Sequence, residues 1–298
     1  MNQLRARLFA PVLRGLEKVL PARVYCGALH SAALVRACVH RLKKGRSPVA
    51  WPLGLAGLEP KPARALPQLP VYLNRTFEYL PDRLARPQWR GHCRYVGLDP
   101  VKQAVDAGRP VILAFFHFGP LESLRNWLRA AGVPAATFVG GKACTRTKLK
   151  RLKDRWALFP DIPVTFYQDQ LPQAIAHLER GQVLAIALDA ANGRQMRLPV
   201  GDGWMCQLAT GPFRMARQHK ALLASCVIYN ERLWHVAVEF GAPVDPELLA
   251  AGDEPAGAAL LAGLWPVLLA HPEEWSPHLA ARFARTSAPP VEADEDAQ

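Results

Sequence analysis

The sequence predicts an α/β protein with a mostly parallel central sheet covered by helices, preceded by N-terminal amphipathic helices. Strand-like apolar runs alternate with helical patterns between residues 93 and 240, which is typical of parallel sheets. Half of the 298 residues are apolar, enough for the core of one large domain. Residues 1–46 differ, because ten Lys or Arg and a single acid surround an apolar stripe there.

The segment at residues 1–46 is predicted to attach to a membrane interface. A basic amphipathic helix is typical of that location, although Pro11 must kink or break the first helix. The second apolar stretch, residues 24–39, is shorter than the roughly 20 residues that span a bilayer. Interfacial attachment is therefore favoured over a spanning helix. The alternative is that both helices simply cap the main domain.

The rest of the chain divides by composition. Six prolines at residues 47–70 predict an irregular connection. The main domain is expected at residues 71–290. The acidic tail at residues 291–298 lacks apolar periodicity and is expected to be disordered.

Within the main domain the apolar pattern predicts seven strands and five helices. The final two strands, joined by the polar residues 230–232, predict an antiparallel hairpin. One helix is expected to be capped by Asp169 at its start and Gly181 at its end. The strands are predicted at residues 93–96, 111–116, 135–139, 164–167, 183–188, 222–229 and 233–240, and the helices near 99–107, 120–131, 144–158, 170–180 and 210–219.

The strongest indication of chemistry is the run HFGPLE at residues 117–122. It directly follows an apolar run that predicts a strand buried on both faces, and open α/β sheets place their chemistry at the carboxyl ends of strands. Gly119 and Pro120 allow a turn that brings Glu122 toward His117. Glu122 is then expected to orient the imidazole, leaving its other nitrogen as a base. The alternative is a strand-end histidine followed by an ordinary first-turn acid.

This pattern and its context resemble the late (lauroyl and myristoyl) acyltransferases of bacterial lipid A biosynthesis, within the lysophospholipid acyltransferase superfamily. The resemblance covers about residues 75–283. It is carried by RTFEY at 75–79, Val96-Gly97, AGRPVILAFFHFGPLE at 107–122, a basic segment ending at 153–155, LDAANGRQMRLPVGDGW at 188–204, ATGPFRMARQHKALLASCVI at 209–228 and HPEEW at 271–275.

The resemblance implies a glycerolphosphate-acyltransferase-like fold and a membrane-associated enzyme with His117 and Glu122 as catalytic residues. The expected reaction moves a fatty acyl chain from acyl-carrier-protein or coenzyme A to a hydroxyl of a lipid A precursor or related glycolipid, without a metal or redox cofactor. The expected partners are acyl-carrier-protein, anionic membrane lipids and the glycolipid acceptor, and no nucleic acid. The implied location is the cytoplasmic face of the bacterial inner membrane.

Three further residues are candidates for substrate binding. Residues 142–155 carry seven basic residues and one acid, and Arg155 matches by position a substrate-binding arginine of the family. Asp189 and Arg194 flank a turn after a predicted strand, at the same sheet end as His117. The resemblance assigns that block to the acceptor or acyl site. The alternatives are an exposed arginine in a solvated helix and ordinary turn chemistry.

Other patterns argue against several competing functions. The six cysteines are scattered singly and predict neither a disulfide framework nor a zinc site, and the histidines show no metal-ligand spacing. There is no Gly-x-Ser-x-Gly elbow of a serine hydrolase and no convincing secretory leader. The net charge of +12 leaves a nucleic-acid binder open, but its motifs are missing. An acyltransferase for a different lysolipid or aminolipid and a non-catalytic basic membrane-binding protein remain alternatives.

Overall fold

The structure is a computed structural model. It describes residues 12, 15–16, 19–44, 91–139, 165–190, 193–201, 203–232 and 235–285. The Pro-rich connection at 47–70, the basic helix predicted at 144–158 and the acidic tail at 291–298 lie outside the described residues, as does most of the first predicted helix.

Eight helices and ten strands are described. The helices are α1 (Ala22–Lys44), α2 (Asp99–Asp106), α3 (Leu121–Ala130), α4 (Leu171–Glu179), α5 (Gly211–Gln218), α6 (Pro246–Ala251), α7 (Asp253–Ala270) and α8 (Pro277–Ala280). The strands are β1 (Cys93–Val96), β2 (Val111–Phe115), β3 (Ala135–Val139), β4 (Thr165–Tyr167), β5 (Val183–Ala187), β6 (Gln195–Gly201), β7 (Trp204–Ala209), β8 (Leu222–Arg232), β9 (His235–Phe240) and β10 (Phe283–Arg285).

Seven of the strands form one sheet in the order β1-β9-β8-β2-β5-β3-β4. Every neighbouring pair is parallel except β8 and β9, which are antiparallel. The predicted α/β class with a mostly parallel sheet is therefore confirmed, and so is the terminal hairpin. The predicted turn at residues 230–232 is wrong, because β8 continues through Arg232 in pairing with β9.

Strand β2 lies between β5 and β8, and its residues alternate between the two faces of the sheet. All five are fully or almost fully buried. Ile112 and Ala114 join a core cluster with residues of α4, α5 and α7, whereas Val111, Leu113 and Phe115 join a second cluster with residues of α2 and α3. Burial on both faces explains why the sequence of β2 is a continuous apolar run.

Helix α1 adds to the second of these clusters through Tyr25, which is 2% exposed. The apolar stretch predicted at residues 24–39 lies wholly within this helix. Along the part of the chain that the structure describes, no helix combines the length and apolar character that crossing a membrane requires.

A second, antiparallel sheet in the order β10-β7-β6 was not among the predicted elements. It packs against the first core cluster together with α7, where Gly257 lies against the side chains of Met196 and Leu198. Helix α7 was also not predicted. Its apolar residues surround the helix without forming a stripe, and Pro266 lies inside it, so the usual helical signature is missing.

Of the two caps predicted for α4, Asp169 at the start is wrong and Gly181 at the end is confirmed. Asp169 does not cap the helix, because Gln168–Gln170 form a 3-10 turn and the residue at the N-cap position is Gln170. The Gln170 side chain instead accepts a hydrogen bond from the main-chain N–H of Tyr167 at 3.2 Å. Gly181 follows the helix with φ of +74° as expected, and a Cβ there would collide with the carbonyl of Gly108.

Candidate functional site

The site is built by the pairing of β2 with β5. These parallel neighbours are in register with Phe115 opposite Ala187, so the residues two positions beyond each, His117 and Asp189, leave the sheet at the same level. The pairing extends past the strand ends, because the N–H of Leu188 donates to the carbonyl of Phe115 at 2.7 Å. Residues far apart in sequence thus meet at the carboxyl edge, where parallel sheets place their chemistry.

Asp189 holds His117 by two hydrogen bonds. The Nδ1 of His117 lies 2.8 Å from Oδ1 of Asp189, and the main-chain N–H of His117 donates to Oδ2 at 3.0 Å. An ionised carboxylate only accepts hydrogen bonds, so Nδ1 carries the hydrogen and Nε2 has the lone pair. No described residue hydrogen-bonds Nε2. The arrangement therefore leaves Nε2 as an available base.

The two partners differ in their access to solvent. The side chain of His117 is 41% exposed, whereas that of Asp189 is completely buried. A buried carboxylate with both oxygens bonded to the histidine is not available to a substrate. The sequence predicts Asp189 as a substrate-binding residue, but this geometry instead gives it the role of orienting His117 and stabilising the imidazolium that forms on proton uptake.

The turn after His117 is fixed by its neighbours. Phe118 is fully buried and forms a β-bridge with Trp275, and the N–H of Gly119 donates to the carbonyl of Glu274 at 2.9 Å. Gly119 has φ of +59°, and a Cβ there would collide with the carbonyl oxygen of Ile228. Glycine is thus required both by the left-handed backbone and by the close approach of β8.

Helix α3 starts directly after this turn. Its first residue is Leu121, whose N–H, like those of any first helical turn, has no acceptor within the helix. Together with the helix dipole, such N–H groups favour a negative charge that develops nearby. The N–H of Gly119 donates to Glu274 and that of Ser123 to Pro120, both at 2.9 Å, so the candidate oxyanion donors in this stretch are the N–H groups of Leu121 and Glu122. Glu122 lies in this first turn, and its side chain is outside the described part of the chain.

A second histidine lies against the first. His278 of α8 has its ring centroid 4.6 Å from that of His117, with the two planes inclined at 67°. Its Nε2 lies 2.8 Å from the main-chain carbonyl oxygen of Asp189. Both histidines are thus bonded to the same residue, one to its carboxylate and one to its carbonyl. The sequence pattern gave no indication of His278.

These three residues also have the composition of a metal site. One ligand atom from each of His117, Asp189 and His278 lies within 4.8 Å of the others. However, both carboxylate oxygens accept hydrogen bonds from His117, and Nε2 of His278 donates to a carbonyl. A cation bound through Nδ1 of His117 and Nε2 of His278 would have to replace the hydrogens that these two nitrogens carry. The observed arrangement favours proton transfer over direct metal ligation.

Nearby thiols are not suited to act as nucleophiles. Burial raises the pKa of the Cys206 thiol well above its usual range, and the negative charge of Asp189 adds to this effect. Burial likewise raises the pKa of Cys226 to about 12. Both thiols therefore stay protonated at neutral pH. Among the described residues, no serine, threonine or cysteine hydrogen-bonds His117, so they contain no nucleophile–histidine pair at this site.

The remaining predicted site residues are not brought to His117 by the described contacts. Arg194 is exposed, and its carbonyl accepts hydrogen bonds from the N–H and the hydroxyl of Thr210 at 3.0 and 3.2 Å. These bonds tie the start of β6 to the start of α5. Arg155 lies outside the described residues.

A scan against protein-family models gives no match for this chain, and a search of curated proteins gives none either. The function of this protein is therefore inferred from the site together with the sequence pattern around it. That site combines a half-exposed imidazole, a buried carboxylate that fixes its tautomer, and the start of a helix beside it.

Proposed function

We propose that this protein is a membrane-associated acyltransferase that moves a fatty acyl chain from a thioester donor to a lipid hydroxyl. The proposed donor is acyl-carrier-protein or coenzyme A, and the proposed acceptor is a lipid A precursor or a related glycolipid. The fold we propose is glycerolphosphate-acyltransferase-like, and the proposed location is the cytoplasmic face of the bacterial inner membrane. The sequence resemblance supports the choice of substrates.

In the proposed reaction His117 is the general base. Its Nε2 takes the proton of the acceptor hydroxyl as that oxygen attacks the thioester carbonyl carbon. The C–O bond forms, the C–S bond breaks, and the departing thiolate recovers the proton from the imidazolium to leave as a thiol. The buried carboxylate of Asp189 stabilises the intermediate imidazolium. The proposed donors to the oxyanion of the tetrahedral intermediate are the main-chain N–H groups of Leu121 and Glu122, at the start of α3.

The observation that carries this proposal is the bond between Nδ1 of His117 and the buried carboxylate of Asp189 at 2.8 Å. This bond holds the imidazole at the carboxyl edge of the sheet, and no described residue hydrogen-bonds its Nε2. The described residues provide no nucleophile beside it, which favours direct transfer between two bound substrates over a covalent acyl-enzyme.

Helix α1 supports the membrane part of the proposal. Val24, Val35 and Leu42 are 55%, 62% and 85% exposed, although each is apolar. They are spaced by nearly whole numbers of 3.6-residue turns, so they line one face of the helix. Arg23 and Arg41 are also exposed on this helix. Exposed apolar residues beside cations fit an interface with anionic lipids.

Two arginines complete the proposal as substrate-binding residues. Arg194 is exposed near the end of the Asp189 loop, where it is accessible to a phosphate or sugar hydroxyl. Arg155 belongs to the basic segment at residues 142–155, which we propose as the contact for the acidic acyl-carrier-protein or for a phosphate group.

The central test is single-turnover transfer from a radiolabelled acyl thioester to extracted lipid acceptors. We expect His117→Ala to lower the rate by roughly 10²–10⁴-fold, the range for loss of acid–base catalysis. The matched control is His219→Ala. This histidine also bonds a carboxylate, Glu179 at 3.1 Å, but it lies just before β8 at the opposite edge of the sheet. The control should transfer at the wild-type rate.

The same assay identifies the acceptor lipid and distinguishes the proposed enzyme from a non-catalytic protein. Mass spectrometry of the labelled product distinguishes a lipid A precursor from another lysolipid or an aminolipid. Folded His117→Ala protein that transfers at the wild-type rate would refute the general-base mechanism. A wild-type protein that binds vesicles yet transfers no acyl chain to any acceptor would instead support a non-catalytic membrane-binding protein.

A further inference from the structure

The loop that carries Asp189 is held from two sides. Its carboxylate is bonded to His117, and its main-chain carbonyl lies 2.8 Å from Nε2 of His278. A carbonyl oxygen only accepts, so Nε2 of His278 carries the hydrogen. The loop carrying Asp189 is thus anchored by a side chain from α8, a segment that reaches the site only through the tertiary fold.

His278 also contacts His117 directly. The two rings meet edge to face, with centroids 4.6 Å apart. A ring packed in this way restricts rotation of its neighbour about the bond that joins the imidazole to the chain. The side chain of His278 therefore makes two independent contacts, a hydrogen bond to Asp189 and a ring contact with His117, with the two members of the His117–Asp189 dyad.

The segment that carries His278 is itself well anchored. Trp275 is 5% exposed, its indole N–H donates to the carbonyl of Leu268 at 2.8 Å, and its backbone pairs with Phe118 in the turn after His117. Ser276 caps α8 by accepting from the N–H of Leu279 at 3.0 Å. His278 is therefore presented to the dyad from a fixed support, although the residue itself is exposed at the rim of the site.

We propose that His278 is a positioning residue of the dyad. It holds the peptide of Asp189 and the ring of His117, so that the imidazole of His117 keeps one orientation and one tautomer. This inference rests on the proposed acyl transfer for its kinetic consequence, but not for its structural one. Its effect falls on the rate of the chemical step, because its contacts are with the dyad and not with a substrate.

Three variants separate the two contacts. His278→Ala removes both. His278→Gln keeps a side-chain N–H within reach of the Asp189 carbonyl, and His278→Phe keeps the ring without the donor. The matched control is His271→Ala, which removes an imidazole from the same segment. That imidazole stacks on Tyr229 with centroids 4.0 Å apart and has no described bond to the dyad.

The kinetic readout is single-turnover transfer at varied acceptor concentration. We expect His278→Ala to lower the maximal rate by about 10–100-fold, the range for loss of groups that orient metal-binding histidines, with little change in the apparent KM. His278→Gln should recover most of the rate, and His278→Phe should recover less. An increase in KM alone would overturn the proposal by making His278 a substrate contact.

The spectroscopic readout does not depend on activity. In ¹⁵N-histidine-labelled protein, long-range ¹H–¹⁵N spectra report the tautomer of each imidazole. We expect a single Nδ1–H tautomer for His117 in the wild type and in the His271→Ala control. His278→Ala should give a mixture of tautomers, which His278→Gln reverses. An unchanged His117 signal in folded His278→Ala would overturn the proposal, even if no acyl transfer were ever detected.

Metal binding is tested in the same series. Metal-stripped protein should transfer at the full rate, and added Zn²⁺ should not raise it. A zinc-dependent gain in rate that His278→Ala abolishes would overturn the positioning role and assign the three residues to a metal site. If His278→Ala does not fold, the comparison of His278→Gln with His278→Phe still decides the question, since the proposal requires the glutamine variant to be the more active.

Discussion

Strand β2 and helix α1 are both rich in apolar residues, yet the fold treats them in opposite ways. Every residue of β2 is buried, on alternate faces, in one of two core clusters. Among the side chains of α1 that the structure describes, only Tyr25, Ala33 and Ala37 are buried, while Leu42 on the same helix is 85% exposed. Apolar composition alone therefore does not say whether a residue is buried in the core or left exposed on the surface of the protein.

The roles proposed for the two regions also differ in how precisely their residues must be positioned. The end of β2 must hold His117 within hydrogen-bond distance of Asp189, which requires fixed register and close packing on all sides. An interfacial helix needs only an apolar face and nearby cations, and it tolerates variation in their exact positions. Substitutions at the two regions should therefore differ in both size and kind.

The largest expected effect is at the end of β2. Asp189→Asn replaces one accepting oxygen by a donor and favours the wrong tautomer of His117, so transfer should fall by roughly 10²–10⁴-fold. Glu122→Gln should lower the rate less, because Nδ1 is already held by Asp189. Single-turnover kinetics measure both, with Glu179→Gln as the matched control. The opposite order would assign the orienting role to Glu122, as the sequence pattern predicts.

The next effect compares one leucine from each region. Leu113 in β2 is completely buried, and Leu113→Ala should cost about 2–5 kcal/mol of unfolding free energy through lost burial and the cavity left behind. Leu42→Ala, at an exposed position, should change it by less than about 0.5 kcal/mol. Urea denaturation followed by circular dichroism measures both. A large loss for Leu42→Ala would show that its side chain packs against protein.

A smaller effect is expected on membrane binding. Replacing Val35 and Leu42 together by serine should weaken partition into anionic vesicles by about 30-fold, since each exposed apolar side chain contributes on the order of 1 kcal/mol. Added salt should weaken the remaining binding, and removal of residues 1–46 should abolish most of it. Leu248→Ser, at a 39% exposed leucine of α6, is the control. Equal partition of all variants would place the membrane contact in the main domain.

The smallest effect is a pH dependence in α1. Burial lowers the pKa of His30 to about 4, below its usual value of 6.5. Between these values the unfolded chain binds more protons than the folded protein, so stability is lost as pH falls from 6.5 toward 4. The melting temperature of His30→Gln should therefore fall less than that of the wild type when the pH is lowered from 7 to 4.5. The variant keeps some dependence, because burial also lowers the pKa of His177.

Much of the architecture follows from local pattern. Apolar runs of strand length alternate with amphipathic helices, and this alternation predicts a parallel sheet because each element must bury its apolar face against the next layer. The antiparallel β6–β7 pair escaped that reasoning. Pro199 and Gly201 interrupt its alternating pattern, and the register shifts between them.

Local sequence is enough to predict that His117 stands at the end of a buried strand and that Gly119 and Pro120 turn the chain into a helix, since both depend on neighbouring residues. The contacts of His117 arise instead from the tertiary fold. Asp189 reaches it because β5 pairs beside β2 with Phe115 opposite Ala187, and His278 reaches it because α8 packs over the same edge. Register and packing arise from the fit of whole surfaces, which no local spacing records.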